Sequence, residues 1–357
     1  MKWIALTPEK TQLYKGLAIF MIVTHNFMHW LSGPKEMEFA FHPTKFTLYL
    51  QFILAEPLRF VQYNMAYFGH FAVKIFIFLS AYGLTKKFNY HQPRYLSFLK
   101  ARFKVIYPSF LLAILLWAIV AANIQYGIFG AFKYLYWHID AVLLKVMLLA
   151  NFISSERLNL VGPWWFVSFI FQFYIVFPAV FFALKRYGSH SLVIIALLGI
   201  ILMLLTKGRV ASVDLSFTVF GHIPEFALGM YFANKDKNEL NVTPYIFWGA
   251  LVVFMLGNCI ESLWYLNHIS ALVLMLFIYH TLFAMLSTHS WLYRAMLYLG
   301  SIALPLFLVN GFLRTPFIEW AERYNNGLVN LTLCAISFFS SVLMAILLKR
   351  SVNMLMK

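Results

Sequence analysis

The residues in this chain with the greatest capacity for chemistry are ionisable groups set inside apolar runs. His25 and His29 lie four residues apart in LYKGLAIFMIVTHNFMHWL, residues 13–31, a stretch long enough to cross a bilayer. An ionisable side chain at membrane depth is costly, and is therefore a functional candidate. On an α-helix the two rings share one face. An imidazole titrates near neutral pH, so it can take a proton from a weak nucleophile such as an alcohol. Lys74 in FAVKIFIFLS and Glu225 in GHIPEF place opposite charges in two other apolar runs. His70, four residues before Lys74, and His222, three before Glu225, extend the same helical faces. The alternative for all of them is structural: hydrogen bonds and an ion pair that hold helices together.

Counting residues from the nearest cytoplasmic cation estimates depth. His25 is ten residues beyond Lys15, Lys74 is twelve before Lys86 and Glu225 is ten before Lys235. At 1.5 Å per residue all three lie roughly 15–18 Å in, near the centre of a hydrocarbon core about 30 Å thick. Buried charges find partners or line cavities. Lys74 is therefore expected to pair with Glu225 beside a cavity at His25. Pro224 is expected to free a backbone carbonyl, and Gly221 and Gly229 to allow close helix approach. Glu261 and His268 are expected near the outer surface.

The elements that must position these groups are membrane helices. The chain is 62% hydrophobic and 11% charged, far from the quarter charged of soluble domains. The fold class expected is all-α, a polytopic bundle of about ten transmembrane helices near 13–31, 65–85, 104–124, 164–184, 191–206, 217–233, 245–263, 269–287, 295–313 and 328–348. Seventeen lysines and arginines fall in the segments assigned inside and ten outside; after subtracting the acids the balance is +14 against +2. Both termini are thus expected in the cytoplasm, and the net charge of +15 reads as a topology signal rather than as a nucleic-acid surface. No cleavable signal fits the N-terminus. Cys259 and Cys334 lie in apolar runs and support neither a disulfide framework nor a cysteine metal site. Residues 1–357 are expected to form a single membrane domain with no appended soluble domain. The two outer loops, 32–64 and 125–163, mix aromatics with charge. They suit interfacial anchoring or an acceptor site, the second with an amphipathic helix. Homo-oligomerisation stays open, because interface helices look like any others.

The segment KKFNYHQPRYLSFLKARFKVIYP, residues 86–108, interleaves Lys86, Lys87, Arg94, Lys100, Arg102 and Lys104 with Tyr90, Tyr95, Phe98, Phe103 and Tyr107. Cations with aromatic neighbours suit a phosphorylated, purine-containing ligand. Topology signalling alone yields the same pattern.

Taken in order, these segments resemble the acyltransferase 3 family of integral membrane acyltransferases. The likeness rests on YKGLAIFMIVTH, FAVKIFIFLSAYGL (71–84), ARFKVIYP (101–108), PWWFVSFIFQFYIVFP (163–178), GHIPEFALGMYFA and YLGSIALPLFLVNGF, and covers most of the chain. The chain departs from the family in spacing, with ten residues rather than eleven between Lys15 and His25. On a helix this puts Lys15 about 80° from the His25 face. It also carries Lys74, Ile170 and Phe171 where many members have acids, and Asn310 where many have a histidine. The resemblance implies transfer of an acyl group, most often acetyl from acetyl-CoA, to a hydroxyl of a cell-surface carbohydrate or its lipid-linked precursor, in the bacterial inner membrane and without a metal. His25 is then the expected general base, with Lys74 and Glu225 in the catalytic group. Arg102 and Lys104, helped by Arg94 and Lys100, are expected to clamp the CoA phosphates. His29, His70, Trp165, Ser168 and His222 are expected at the acceptor, with Lys74, Trp165 or Ser168 stabilising the oxyanion. The competing class is a proton-coupled transporter of a surface-glycan intermediate, which would use the same mid-membrane polar groups.

Overall fold

The computed structural model describes residues 2–4, 6–89, 91–234, 239–241 and 244–356. Tyr90, Lys235, Asp236, Lys237 and Lys357, used in the sequence reading, lie outside them. The described residues are almost wholly helical. In chain order the helices are α1 (Pro8–Met28), α2 (Lys45–Ala55), α3 (Phe60–Phe68), α4 (Ala72–Lys87), α5 (Tyr95–Trp137), α6 (Ile139–Val146), α7 (Trp165–Tyr187), α8 (Ser189–Thr206), α9 (Ile223–Asn234), α10 (Pro244–Gly257), α11 (Glu261–Trp264), α12 (Asn267–Met285), α13 (Trp291–Ser301), α14 (Ala303–Leu313), α15 (Thr315–Tyr324) and α16 (Gly327–Leu355). Two small antiparallel strand pairs complete the described elements, Lys2–Ile4 with Glu239–Asn241 and Arg209–Val210 with Val213–Asp214. The chain is an all-α polytopic bundle.

Among the described residues, six stretches are long and apolar enough to cross a membrane, and a seventh if α13 and α14 are taken as one span. The sequence suggested about ten, and the differences have identifiable causes. The first expected span is present as α1, but Lys10, Lys15, His25 and its amides dilute its hydropathy. The stretches expected at 217–233 and 245–263 form only the 12-residue α9 and the 14-residue α10. The span expected at 295–313 is not straight: α13 and α14 bend by 83°. Pro305 has no N–H with which to bond the Ser301 carbonyl. That carbonyl instead accepts from Lys349 Nζ at 3.0 Å. The span expected at 65–85 lies within the apolar stretch Pro57–Lys87, which contains a 3-10 turn, Gly69–Phe71, between α3 and α4. Pro224 lies in the first turn of α9, where no intrahelical bond is lost; the irregular backbone here is the 3-10 turn Val219–His222 just before it. Expected helix in the second outer loop is found as α6, while α5 continues through a break at Gly127, whose φ is 70°.

The start of α1 follows from its sequence. The Thr7 side chain accepts from Lys10 N at 3.2 Å, Pro8 opens the helix and Glu9 sits in the first turn. At the other end Lys35 Nζ donates to the carbonyls of the C-cap His29 and of Leu31 just beyond it, at 2.7 and 2.8 Å. The chain then folds back over the bundle, with Glu36 and Glu38 lining an internal cavity while Met37 packs with Phe46, Tyr49, Tyr67 and Trp264. Phe39 pins the segment by stacking on Phe217 at 4.0 Å. α1 packs against α13 and α4 against α9. Gly229 makes the second contact close, since a Cβ there would strike the Phe78 backbone of α4.

Candidate active site

Two cavities meet inside the bundle. The first, about 500 Å³, is lined by Lys15 and Gln12 of α1, Ser80 of α4, Ser109 of α5, Tyr174 of α7, Ser301, and Lys349 and Asn353 of α16. The second, about 640 Å³, is lined by His25, Asn26, His29, His70, Glu36 and Glu38, and further round by Trp30, Trp165, Arg314 and Glu319. Ile22, Val73, Phe166 and Phe307 line both. The wall between them is therefore apolar.

His25 is 3% exposed. Its Nδ1 lies 2.9 Å from the Met65 carbonyl. A carbonyl oxygen only accepts, so Nδ1 carries the proton and Nε2 keeps its lone pair. The approach of α1 to the 3-10 turn needs Gly69, because a Cβ there would lie 2.5 Å from His25 Cβ. The rings of His29 and His70 lie 4.9 and 5.7 Å from that of His25. His29 Nδ1 is 3.3 Å from Glu36 Oε1. Burial alone would raise the Glu36 carboxyl, but the contact with His29 and the field of the His25, His29 and His70 imidazoles hold it well below the usual carboxylate range. Glu36 is the ionised partner of this cluster. Burial pushes the Glu38 carboxyl the other way, to about 8, against the opposing pull of Lys74.

A second polar cluster lies beside the larger cavity. Lys74 Nζ is 3.4 Å from His222 Nδ1, and Glu225 Oε1 is 3.3 Å from the same nitrogen and 3.7 Å from His268 Nδ1. His222 Nε2 donates to the Ser216 carbonyl at 3.0 Å. The expected Lys74–Glu225 pair is thus bridged by an imidazole. Trp165 stacks on His222, with ring centres 6.0 Å apart, and its own side chain lines the larger cavity.

A family model described as an acyltransferase domain matches residues 12–350, nearly the whole chain. The chain belongs to the acyltransferase 3 family. No curated protein and no solved structure matches it. It is an integral membrane acyltransferase.

Within this acyltransferase the residues singled out from sequence separate into three places. His25, His29, His70 and Trp165 line the larger cavity. Lys74, Glu225, His222 and Ser168 are buried but line neither cavity. Of the cations expected at the cytoplasmic face, Arg102 is half-buried beside Tyr174, a residue of the smaller cavity, whereas Arg94, Lys100 and Lys104 are exposed and do not line it. The cations that do line it are Lys15 and Lys349. Lys15 and His25 therefore belong to different cavities, in keeping with their ten-residue spacing. His268, expected near the outer surface, is 9% exposed and belongs to the Lys74 cluster.

Sequence reasoning passed over Glu36, Glu38 and Arg314 as site residues. The alternation KEMEF, with two acids at spacing two just beyond the first span, was the available signal for the acids. Among the described residues, two groups hold metal-ligating atoms within 4.8 Å of one another, His25 with His29 and Glu36, and His222 with Glu225 and His268. The Met65 carbonyl already engages Nδ1 of the first group, and the Lys74 ammonium competes with a cation in the second.

Proposed function

We propose that this acyltransferase moves an acyl group, acetyl in the first instance, from acyl-CoA to a hydroxyl of a carbohydrate, a surface glycan or its lipid-linked precursor, with His25 as general base. The observation that carries the reading is the tautomer of His25, whose Nε2 lone pair is free at a cavity that shares an apolar wall with a cationic one. The acceptor hydroxyl gives its proton to Nε2 as its oxygen attacks the thioester carbonyl carbon. Collapse of the tetrahedral intermediate breaks the C–S bond, and the departing thiolate takes the proton from the imidazolium. The ester and free CoA result, with His25 regenerated.

The rest of the site supports these steps. Trp165 is the oxyanion candidate that lines the reacting cavity, whereas Lys74 and Ser168 act from behind it. The Glu36 carboxylate, paired with His29, adds a negative field that favours the imidazolium formed on His25. The CoA phosphates lie with Lys15 and Lys349, and Arg102 beside Tyr174 extends that cationic path. With both termini on the cytoplasmic side of a bacterial inner membrane, the Lys15 cavity opens to cytoplasmic acyl-CoA and the His25 cavity to an acceptor on the opposite side.

The test uses purified protein in lipid nanodiscs with acetyl-labelled acetyl-CoA and a carbohydrate acceptor. Label should appear on the acceptor in a one-to-one ratio with released CoA. Acceptor left unmodified, or moved unchanged between two compartments in proteoliposomes, would contradict the proposal and favour a transporter.

A further inference from the structure

Two buried side chains on the wall of the His25 cavity have polar atoms that no described residue satisfies. His70 is 2% exposed, and its ring nitrogens have no well-formed hydrogen bond among the described residues. Arg314 is 7% exposed, and its Nη1 is likewise unpartnered among the described residues. A buried, unsatisfied donor costs free energy, the more so when it is charged. An arginine out of water normally has a carboxylate or phosphate on its planar fork. Here no described carboxylate lies within ion-pair distance of Arg314; its guanidinium sits over the Trp30 ring, 5.7 Å from the centroid. Burial lowers its pKa only to about 10, so it remains a cation at neutral pH.

The three acids of the cavity do not supply the missing partner. Glu36 is engaged with His29 at 3.3 Å. Glu38 is raised to about 8 by burial and is mostly protonated at neutral pH. Glu319 is exposed at the rim. A fixed, unneutralised cation thus faces the cavity in which a hydroxyl has to be presented to His25 Nε2. Trp30, 57% exposed and lining the same cavity, adds an aromatic face against which a sugar ring can lie.

Resting on the acyltransferase reading above, we infer that the acceptor is an anionic carbohydrate, whose carboxylate or phosphate is bound by Arg314 while one of its hydroxyls is held at His25 and His70. The anion completes the guanidinium fork and fixes which hydroxyl reaches the base. Two sources share this chemistry, a uronate carboxylate on the sugar ring and a phosphate ester joining the sugar to a lipid carrier.

The experiment measures binding to the full-length protein in nanodiscs, without donor, of methyl glucuronide, glucose 1-phosphate and neutral methyl glucoside. Wild type should bind one of the two anions at least about tenfold more tightly than methyl glucoside. A preference for the glucuronide identifies a ring carboxylate, and one for glucose 1-phosphate a phosphate. Arg314→Gln should bring the preferred anion down to the affinity of methyl glucoside, Arg314→Lys should keep part of the preference, and His25→Ala should leave it intact. Equal binding of the three ligands, no binding of any, or a preference unchanged in Arg314→Gln would overturn the inference. Failure of acetyl transfer to every acceptor would instead overturn the acyltransferase mechanism, and the donor-free binding series still decides the charge preference.

Discussion

The two cavities differ in the kind of polarity they contain. The Lys15 cavity has two lysines, serines, amides and a tyrosine on its wall, and no acid or histidine among the described lining residues. The His25 cavity has three histidines, three glutamates and an arginine. The first can hold fixed negative charge and has no group suited to proton transfer near neutral pH; the second is built around proton acceptors. Ile22, Val73, Phe166 and Phe307 separate them, a barrier that an acyl group can cross and a phosphate cannot. In the proposed function, donor recognition belongs to the first compartment and bond chemistry to the second, each with its own electrostatics.

This division can be broken one side at a time. The largest effect is expected from His25→Ala, which should lower the transfer rate by about 10²–10⁴-fold, the range for loss of a general base, while acetyl-CoA binding stays at the wild-type level. The double change Lys15→Ala/Lys349→Ala should raise the donor KM by about 10–100-fold, from the loss of charge-assisted hydrogen bonds, and leave acceptor binding unaltered. A steady-state series in each substrate distinguishes the two. If the lysine double variant weakened acceptor binding instead, the compartments would not be separate.

Two smaller effects sharpen the picture of the His25 side. Gly69→Ala places a Cβ 2.5 Å from His25 Cβ. It should destabilise the fold by about 1–3 kcal/mol through overpacking and slow transfer without changing donor affinity, as thermal unfolding in detergent and kinetics would show. Glu38 has a folded-state pKa raised from the ordinary 4.5 to about 8. Between those values the folded protein keeps a proton that the unfolded chain releases, so stability should fall as pH rises from about 4.5 to about 8 and then level off. Glu38→Gln should flatten that slope in melting curves; an unchanged slope would mean that Glu38 is ionised across the range.

Much of this arrangement was legible in the sequence, and the rest was hidden for physical reasons. His25 stood out because imidazole is expensive at membrane depth, and the i, i+4 spacing placed His29 beside it. Depth counting put Lys74 and Glu225 at one level, and they meet in one cluster, yet counting could not see that His222 stands between them. Pro305 was the available signal for the bend between α13 and α14, but the 83° angle and the Lys349 ammonium on the freed Ser301 carbonyl are features of tertiary packing. Charge density singles out the segment 86–108, of which Arg94, Lys100 and Lys104 are exposed and line neither cavity. Lys15 and Lys349 lie at opposite ends of the chain and share a cavity only through tertiary packing. Glu36 and Glu38 read as loop residues until residues 34–39 fold back over the bundle, and Arg314 read as one of the outer cations.

The most direct test of the divided site is equilibrium binding of acetyl-CoA to wild type, His25→Ala and Lys15→Ala/Lys349→Ala in nanodiscs, with CoA release followed on the same samples. The division predicts that His25→Ala binds acetyl-CoA as wild type does and, with acceptor present, releases CoA about 10²–10⁴-fold more slowly, while the lysine double variant binds the donor about 10–100-fold more weakly. Loss of donor binding in His25→Ala with retention in the double variant would contradict it.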